Sequence, residues 1–99
     1  MDIQKSTFYK KTQHASKCLK ILSNPNRLAV LCTLLDKEFC AGDLEKMVDL
    51  SQPALSQHLA RMKKEGLIDA RKEGRSIFYS IKDLKIKRLI QAMHKIFCE

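Results

Sequence analysis

The chain has 99 residues, and its 19 lysines and arginines against 11 aspartates and glutamates give a formal charge of +8. This length suits one small binding domain and is short for an enzyme whose cleft needs independent walls. The positive charge favours nucleic acid over a membrane surface as the partner. The longest apolar stretch, "LAVLCTLL", is too short to span a bilayer, and "MDIQKSTFYKK" lacks the apolar core of a signal peptide, so we expect a cytoplasmic protein.

The first predicted element is a helix over about residues 7–22, with apolar side chains recurring on one face. A second helix is predicted to begin with Asn24 as its N-cap and Pro25 at its first position. Its apolar face is expected to be buried and consists of Leu28, Leu31, Cys32 and Leu35.

A helix-turn-helix is predicted over about residues 41–65. The segment "CAGDLEKMV" has apolar residues at helical spacing before a short break at Asp49 and Leu50. Ser51 then caps the helix "SQPALSQHLARMKKEGL", and Gly66 is expected to end it in a Schellman-type turn.

A basic hairpin follows over about residues 68–81, because "LIDARKEGRSIFYSI" reads as two short strands around a turn at Gly74. The last helix, about residues 83–98, again carries an apolar stripe. We therefore predict a single domain over residues 1–99 that is mainly α with a small β-hairpin wing, in other words a winged helix-turn-helix.

The apolar stripes of the two terminal helices need a partner. Since the central helices can be covered by the wing and by one another, we expect the terminal helices to pair with those of a second copy in a twofold homodimer. The residues expected at this interface are Cys18, Leu22, Leu89, Ile90, Met93 and Phe97.

The second helix of the helix-turn-helix has an inward face of Leu55, Leu59 and Met62 and a polar outward face. Glutamine can make a bidentate hydrogen-bond contact to adenine, and serine can donate a hydrogen bond to a base or accept one. Proline can make an apolar contact with a thymine methyl group. Basic side chains are expected to hold phosphate, and His58, beside the buried stripe, to bond within the fold or to phosphate. The alternative is that the polar outward face of this helix is only solvated and binds no DNA. The residues expected to bind double-stranded operator DNA are Ser51, Gln52, Pro53, Ser56, Gln57, His58, Arg61, Arg71, Lys72 and Arg75.

Three stretches, "LSNPNRLAVLCTLL", "LSQPALSQHLARMKKEGLIDARKEGRSIFYSI" and the terminal "IFC", resemble the ArsR/SmtB family of small dimeric winged-helix repressors. The resemblance covers nearly the whole chain and is closest to the branch of persulfide- and redox-sensing regulators that contains BigR, SqrR and HlyU. It implies a dimer that sits on an operator and whose DNA affinity is weakened by an inducer.

The resemblance also implies a thiol sensor. In this branch a pair of cysteines, matched here to Cys40 and Cys98, is bridged by reactive sulfur species or by an oxidant. A plain disulfide needs Cα atoms within about 7 Å of each other, and added sulfur atoms lengthen the bridge. Cys18 and Cys32 lie in phase with leucines, so they are expected to be core or interface residues.

No metal and no cofactor are expected. Arsenite-sensing members of the family carry Cys-x-Cys, whereas "EFCAGDL" keeps Cys40 and has Gly42 at the second position. Zinc-sensing members have histidines where Lys85 and Ile96 stand here. The alternative left open is a metalloid or soft-metal sensor that uses Cys40 and Cys98 and, as a third ligand, Cys18.

Two functions from other classes are disfavoured. A thiol enzyme lacks support because no Cys-x-x-Cys and no strand-rich scaffold are present, so no catalytic site is expected. A structural, chromatin-type protein is compatible with the charge alone, and sequence-specific operator binding would exclude it.

Overall fold

The computed structural model describes the backbone of residues 2–98 and the side chains of residues 4–98. The predicted fold class is confirmed, since helices dominate and a small antiparallel hairpin follows the helix-turn-helix. The elements in chain order are α1 (Asp2–Leu22), α2 (Pro25–Thr33), β1 (Phe39–Cys40), α3 (Ala41–Glu45), α4 (Gln52–Lys64), β2 (Ile68–Glu73), β3 (Ser76–Ile81) and α5 (Leu84–Cys98).

Local capping explains where the central helices begin and end. The side-chain oxygen of Asn24 accepts from the backbone N–H groups of Asn26 and Arg27 at 2.9 and 3.1 Å, which caps α2. The Ser51 hydroxyl accepts from a backbone N–H at 3.3 Å and caps α4. Gly66 has φ +79°, and the N–H of Leu67 reaches back to a carbonyl of α4 at 2.9 Å, so α4 ends in the predicted Schellman turn.

The three strands form one antiparallel sheet in the order β1-β3-β2. Gly74, with φ +61°, lets β2 turn into β3 through a two-residue loop. The sequence did not predict β1, which is only two residues long and pairs Phe39 with Tyr79 and Cys40 with Phe78. The segment that leads into α3 is therefore tied to the wing.

The core lies between α2, α3, α4, the first residues of the hairpin and α5. Leu22 and Ile90, which we expected at a dimer interface, are buried in this core and do not supply exposed surface. Helix α1 begins at Asp2 rather than near residue 7, and its residues 4–17 are all exposed. The buried core residues are Leu22, Val30, Leu31, Leu34, Leu44, Leu55, Leu59, Met62, Leu67, Ile68, Ile86 and Ile90.

Candidate nucleic-acid interface and thiol sites

Helix α4 presents a polar outward face. Leu55, Leu59 and Met62 are almost completely buried and fix the rotation of the helix on the core. This rotation places the side chains expected to read bases on the outside, at the N-terminal turns that a recognition helix offers to the major groove. The exposed residues of this set are Gln52, Pro53, Ser56 and Gln57.

His58 differs from its neighbours because it is half-buried and bonded within the fold. Its Nδ1 accepts a hydrogen bond of 3.3 Å from Nε of Arg27, at the start of α2. Burial, followed by the nearby guanidinium groups of Arg27 and Arg61, lowers the pKa of His58. The imidazole is thus held neutral, and of the two roles expected for it the structure shows the bond within the fold.

The wing carries exposed basic residues in two different electrostatic settings. Arg71 donates from Nε to both carboxylate oxygens of Glu38, at 2.9 and 2.8 Å, and from Nη1 to Glu73 at 2.9 Å. These two carboxylates raise its pKa. Lys72 and Arg75 are exposed and take part in no ion pair with residues 4–98. Arg75, at the turn, therefore has its charge available for a phosphate, whereas Arg71 would have to share its charge with Glu38.

Cys40 lies at the junction of β1 and α3. It is half-buried, occupies the N-cap position of α3, and has its Sγ 3.3 Å from a carboxylate oxygen of Asp43, to which the thiol donates.

Cys32 and Cys98 interact electrostatically. Cys32 lies on α2 and packs against the core, and Cys98 is the exposed last residue of α5, a helix that packs on α2. Burial first, and then the charge of Cys98, raises the pKa of Cys32. The structure therefore brings Cys98 near Cys32, a residue that sequence reasoning had assigned to core or interface. The in-phase leucines signalled the burial of Cys32, but its nearness to Cys98 depends on how α2 and α5 pack.

The exposed ends of α1 and α5 carry large apolar side chains. Phe97 is 79% exposed and Leu19 is 56% exposed. Cys18 and Met93 of the expected interface are half-buried, and Leu89 is exposed at 36%. Large apolar side chains exposed in this way favour an interaction surface at these helix ends.

Two further features of the structure concern membranes and metal ions. Within residues 2–98, the helices lack the length and apolarity that crossing a bilayer requires. The same part of the chain contains no group of three or more histidine, cysteine, aspartate or glutamate side chains placed to hold a metal ion.

Residues 24–70 match the sequence pattern of the family described as bacterial regulatory protein, arsR family. The transcriptional activator HlyU of Vibrio cholerae is 40% identical over 90 residues, which cover 91% of this chain and 83% of that protein. The biofilm growth-associated repressor of Agrobacterium fabrum is 42% identical over 89 residues, which cover 90% of this chain and 76% of the repressor.

The fold agrees with these sequence relationships. The structure of reduced HlyU from Vibrio cholerae superimposes with a TM-score of 0.89 at 39% identity and covers 94% of this chain and 98% of that one. These relatives are transcriptional regulators rather than enzymes, and one is an activator while another is a repressor.

Proposed function

Because the chain belongs to the arsR family of bacterial regulatory proteins, we propose that it is a homodimeric repressor of transcription that loses operator affinity when two of its thiols are bridged by reactive sulfur species or an oxidant. The observation that carries its action on DNA is the outward face of α4. Glutamine, serine and proline side chains stand exposed there, over a buried leucine face that leaves the helix little freedom to rotate.

The wing supports the same function. Arg75 stands at the tip of the hairpin beside Lys72, and both side chains are exposed. Phosphate contacts of this kind position a protein on the duplex, while the helix in the groove supplies sequence discrimination. We therefore assign affinity for the duplex mainly to the wing and sequence specificity mainly to α4.

The homodimer is supported by the terminal helices. Residues 4–17 of α1 are exposed and include Phe8 and Tyr9, and α5 exposes Ile96 and Phe97 near its end. A twofold pairing of α1 and α5 with a second copy would bury both patches and set the spacing of the two α4 helices against successive half-sites.

Cys98 is the thiol that every form of the switch requires. It is exposed, so a sulfur donor or an oxidant can reach it, and we assign it the first reaction. Its proposed partner is Cys40, the thiol that the family resemblance pairs with it, which is half-buried and donates to Asp43. Cys32, whose pKa is raised by burial and then by the charge of Cys98, is the competing partner.

The decisive experiment titrates labelled operator DNA, selected from a random-sequence pool, with each variant before and after polysulfide treatment. For wild type we expect affinity to fall by about 5- to 150-fold on treatment, the range of a useful allosteric coupling. Cys98→Ser and Cys40→Ser should bind as reduced wild type does and lose the response, because a single thiol cannot close the bridge. Cys32→Ser is the matched control and should respond as wild type does.

Other outcomes contradict parts of the proposal. If Cys32→Ser loses the response while Cys40→Ser retains it, the pair is Cys32 with Cys98. If Cys98→Ser still releases DNA, the dithiol switch is wrong. The intact mass of treated protein separates a polysulfide, which adds whole sulfur atoms, from a disulfide, which loses two hydrogens, and from a bound soft metal, which would support the metalloid alternative.

A further inference from the structure

A cleft of about 690 Å³ opens between α1, the start of α2, the C-terminal half of α4 and the residue before α5. Pockets that bind small molecules have volumes of this order, about 300 to 1,000 Å³. The cleft lies away from the first turns of α4, since Arg61 and Glu65 are the residues that α4 contributes to it. It is therefore distinct from the base-reading turns of α4, and of the residues expected to bind DNA only Arg61, a predicted phosphate contact, lines it.

The cleft is electropositive. Its basic side chains are His14, Lys17 and Lys20 of α1, Arg27 of α2 and Arg61 of α4. Of its two carboxylates, Glu65 forms a salt bridge of 3.0 Å with Arg61.

The other carboxylate, Asp83, is also satisfied within the chain. It accepts from the backbone N–H groups of Lys85 and Ile86 at 2.9 and 3.3 Å, at the start of α5. Such bonds to backbone donors stabilise a carboxylate where it stands. The acidic side chains of the cleft are thus engaged, and its remaining charge is that of Lys17, Lys20 and Arg27.

Arg27 is the focus of this charge. It is half-buried, and its hydrogen bonds go to neutral acceptors, the carbonyl of Ile21 at 3.2 Å and Nδ1 of His58 at 3.3 Å. A partly desolvated cation that is bonded to neutral groups gains more from an anion than an exposed cation does. The apolar side chains of Ile21 and Leu67 provide a wall for a carbon skeleton.

We propose that this cleft binds a small organic anion, with a carboxylate or phosphate group against Arg27 and the lysines of α1 and with an apolar part against Ile21 and Leu67. The anion would be a second effector, independent of the thiols. Binding of the anion would affect α4 because the guanidinium of Arg27 donates to His58, which lies on α4. An anion beside Arg27 offsets the positive potential at the imidazole, so the pKa of His58 rises when the cleft is filled.

The test measures binding of inorganic pyrophosphate and, separately, citrate to the protein by calorimetry at low salt. Arg27→Gln should weaken binding about tenfold, the value of one charge-assisted hydrogen bond. The double variant Lys17→Gln/Lys20→Gln should weaken it about threefold, as expected for exposed charges. The matched control, Lys10→Gln/Lys11→Gln, removes the same charge from an exposed part of the same helix that does not line the cleft and should bind as wild type does.

Nuclear magnetic resonance of the His58 ring gives a second readout that does not depend on the stability of Arg27→Gln. The pKa of His58 should rise on saturation with pyrophosphate in wild type, and in the Lys17→Gln/Lys20→Gln variant the same rise should require about three times as much pyrophosphate. Absence of binding by both anions overturns the proposal, as does equal weakening by the two lysine pairs, which would mean diffuse attraction. Stoichiometric displacement of pyrophosphate by random-sequence DNA also overturns it, because the cleft would then be a DNA phosphate site.

Discussion

The DNA-reading unit, by which we mean α2, α3, α4 and the wing, differs from the terminal helices α1 and α5 in how its apolar side chains are covered. We call the first the reading unit and the second the terminal part. In α4 the inward leucines are buried by the same chain, and the outward face is polar. In α1, residues 4–17 are exposed although they include Phe8 and Tyr9. Most of the stability of a helix in a protein comes from packing of its apolar face, and residues 4–17 of α1 lack such packing within the described chain. One chain thus covers the apolar face of the reading unit, and the exposed apolar side chains of the terminal part are the basis of our proposal that a second copy covers them.

The largest expected effect therefore comes from the terminal part. Leu19→Asp and Phe97→Asp each place a charge in the proposed apolar interface and should give monomers. Because a monomer engages one half-site at a time, operator affinity should fall by roughly 100-fold or more. Sedimentation measures the assembly, and titration of the operator measures the affinity.

A matched control for these variants is Met47→Asp, which introduces the same charge at an exposed apolar side chain outside the terminal helices. It should remain dimeric. Intact dimers of both Leu19→Asp and Phe97→Asp would show that the terminal patches are not the interface, and the contrast between the two regions would fail.

The next largest effect tests the reading unit. Gln57→Ala should reduce specific binding by about 1 to 3 kcal/mol, the value of a good bidentate base contact, and leave binding to random DNA nearly unchanged. Arg75→Ala is its counterpart and should weaken both kinds of binding alike and flatten the salt dependence. Equal losses of Gln57→Ala on operator and random DNA would remove Gln57 from the base-reading residues.

The reading unit could be predicted from the sequence because its signals are local. Asn24, Ser51 and Gly66 each mark a helix end through bonds to residues a few positions away. The recurrence of apolar residues at every third or fourth position then determines which side of α4 faces outward. These features need no knowledge of distant parts of the chain.

The features that sequence reasoning missed all depend on distant contacts. The bond between Arg27 and His58 joins residues 31 positions apart, and the bond between Glu38 and Arg71 joins residues 33 apart. The coupling of Cys32 to Cys98 depends on how α2 packs against α5. A two-residue strand such as β1 has too few residues to show an alternating pattern, so it appears only once the hairpin is present to pair with it.

A smaller effect compares the two helix caps of the reading unit. Asn24→Ala removes an acceptor of two backbone bonds, whereas Ser51→Ala removes an acceptor of one longer bond. We expect Asn24→Ala to lower the free energy of unfolding by about 1 kcal/mol and Ser51→Ala by less. Chemical denaturation checks the order, and a larger loss for Ser51→Ala would contradict it.

The smallest expected effect is the pH dependence that His58 gives to stability. In the unfolded chain this histidine titrates near its ordinary pKa of 6.5, whereas in the fold burial, Arg27 and Arg61 lower the pKa. As the pH falls through 6.5, the unfolded chain takes up the proton first, so the free energy of unfolding decreases until the folded protein is protonated as well. Well above pH 6.5, the contribution of His58 to the free energy of unfolding does not change with pH. His58→Gln retains an acceptor for Arg27 and should remove this slope, while His14→Gln on α1 should keep it. Denaturant titrations between pH 5 and 8 measure both, and identical slopes for wild type and His58→Gln would mean that the bond to Arg27 does not hold the imidazole neutral.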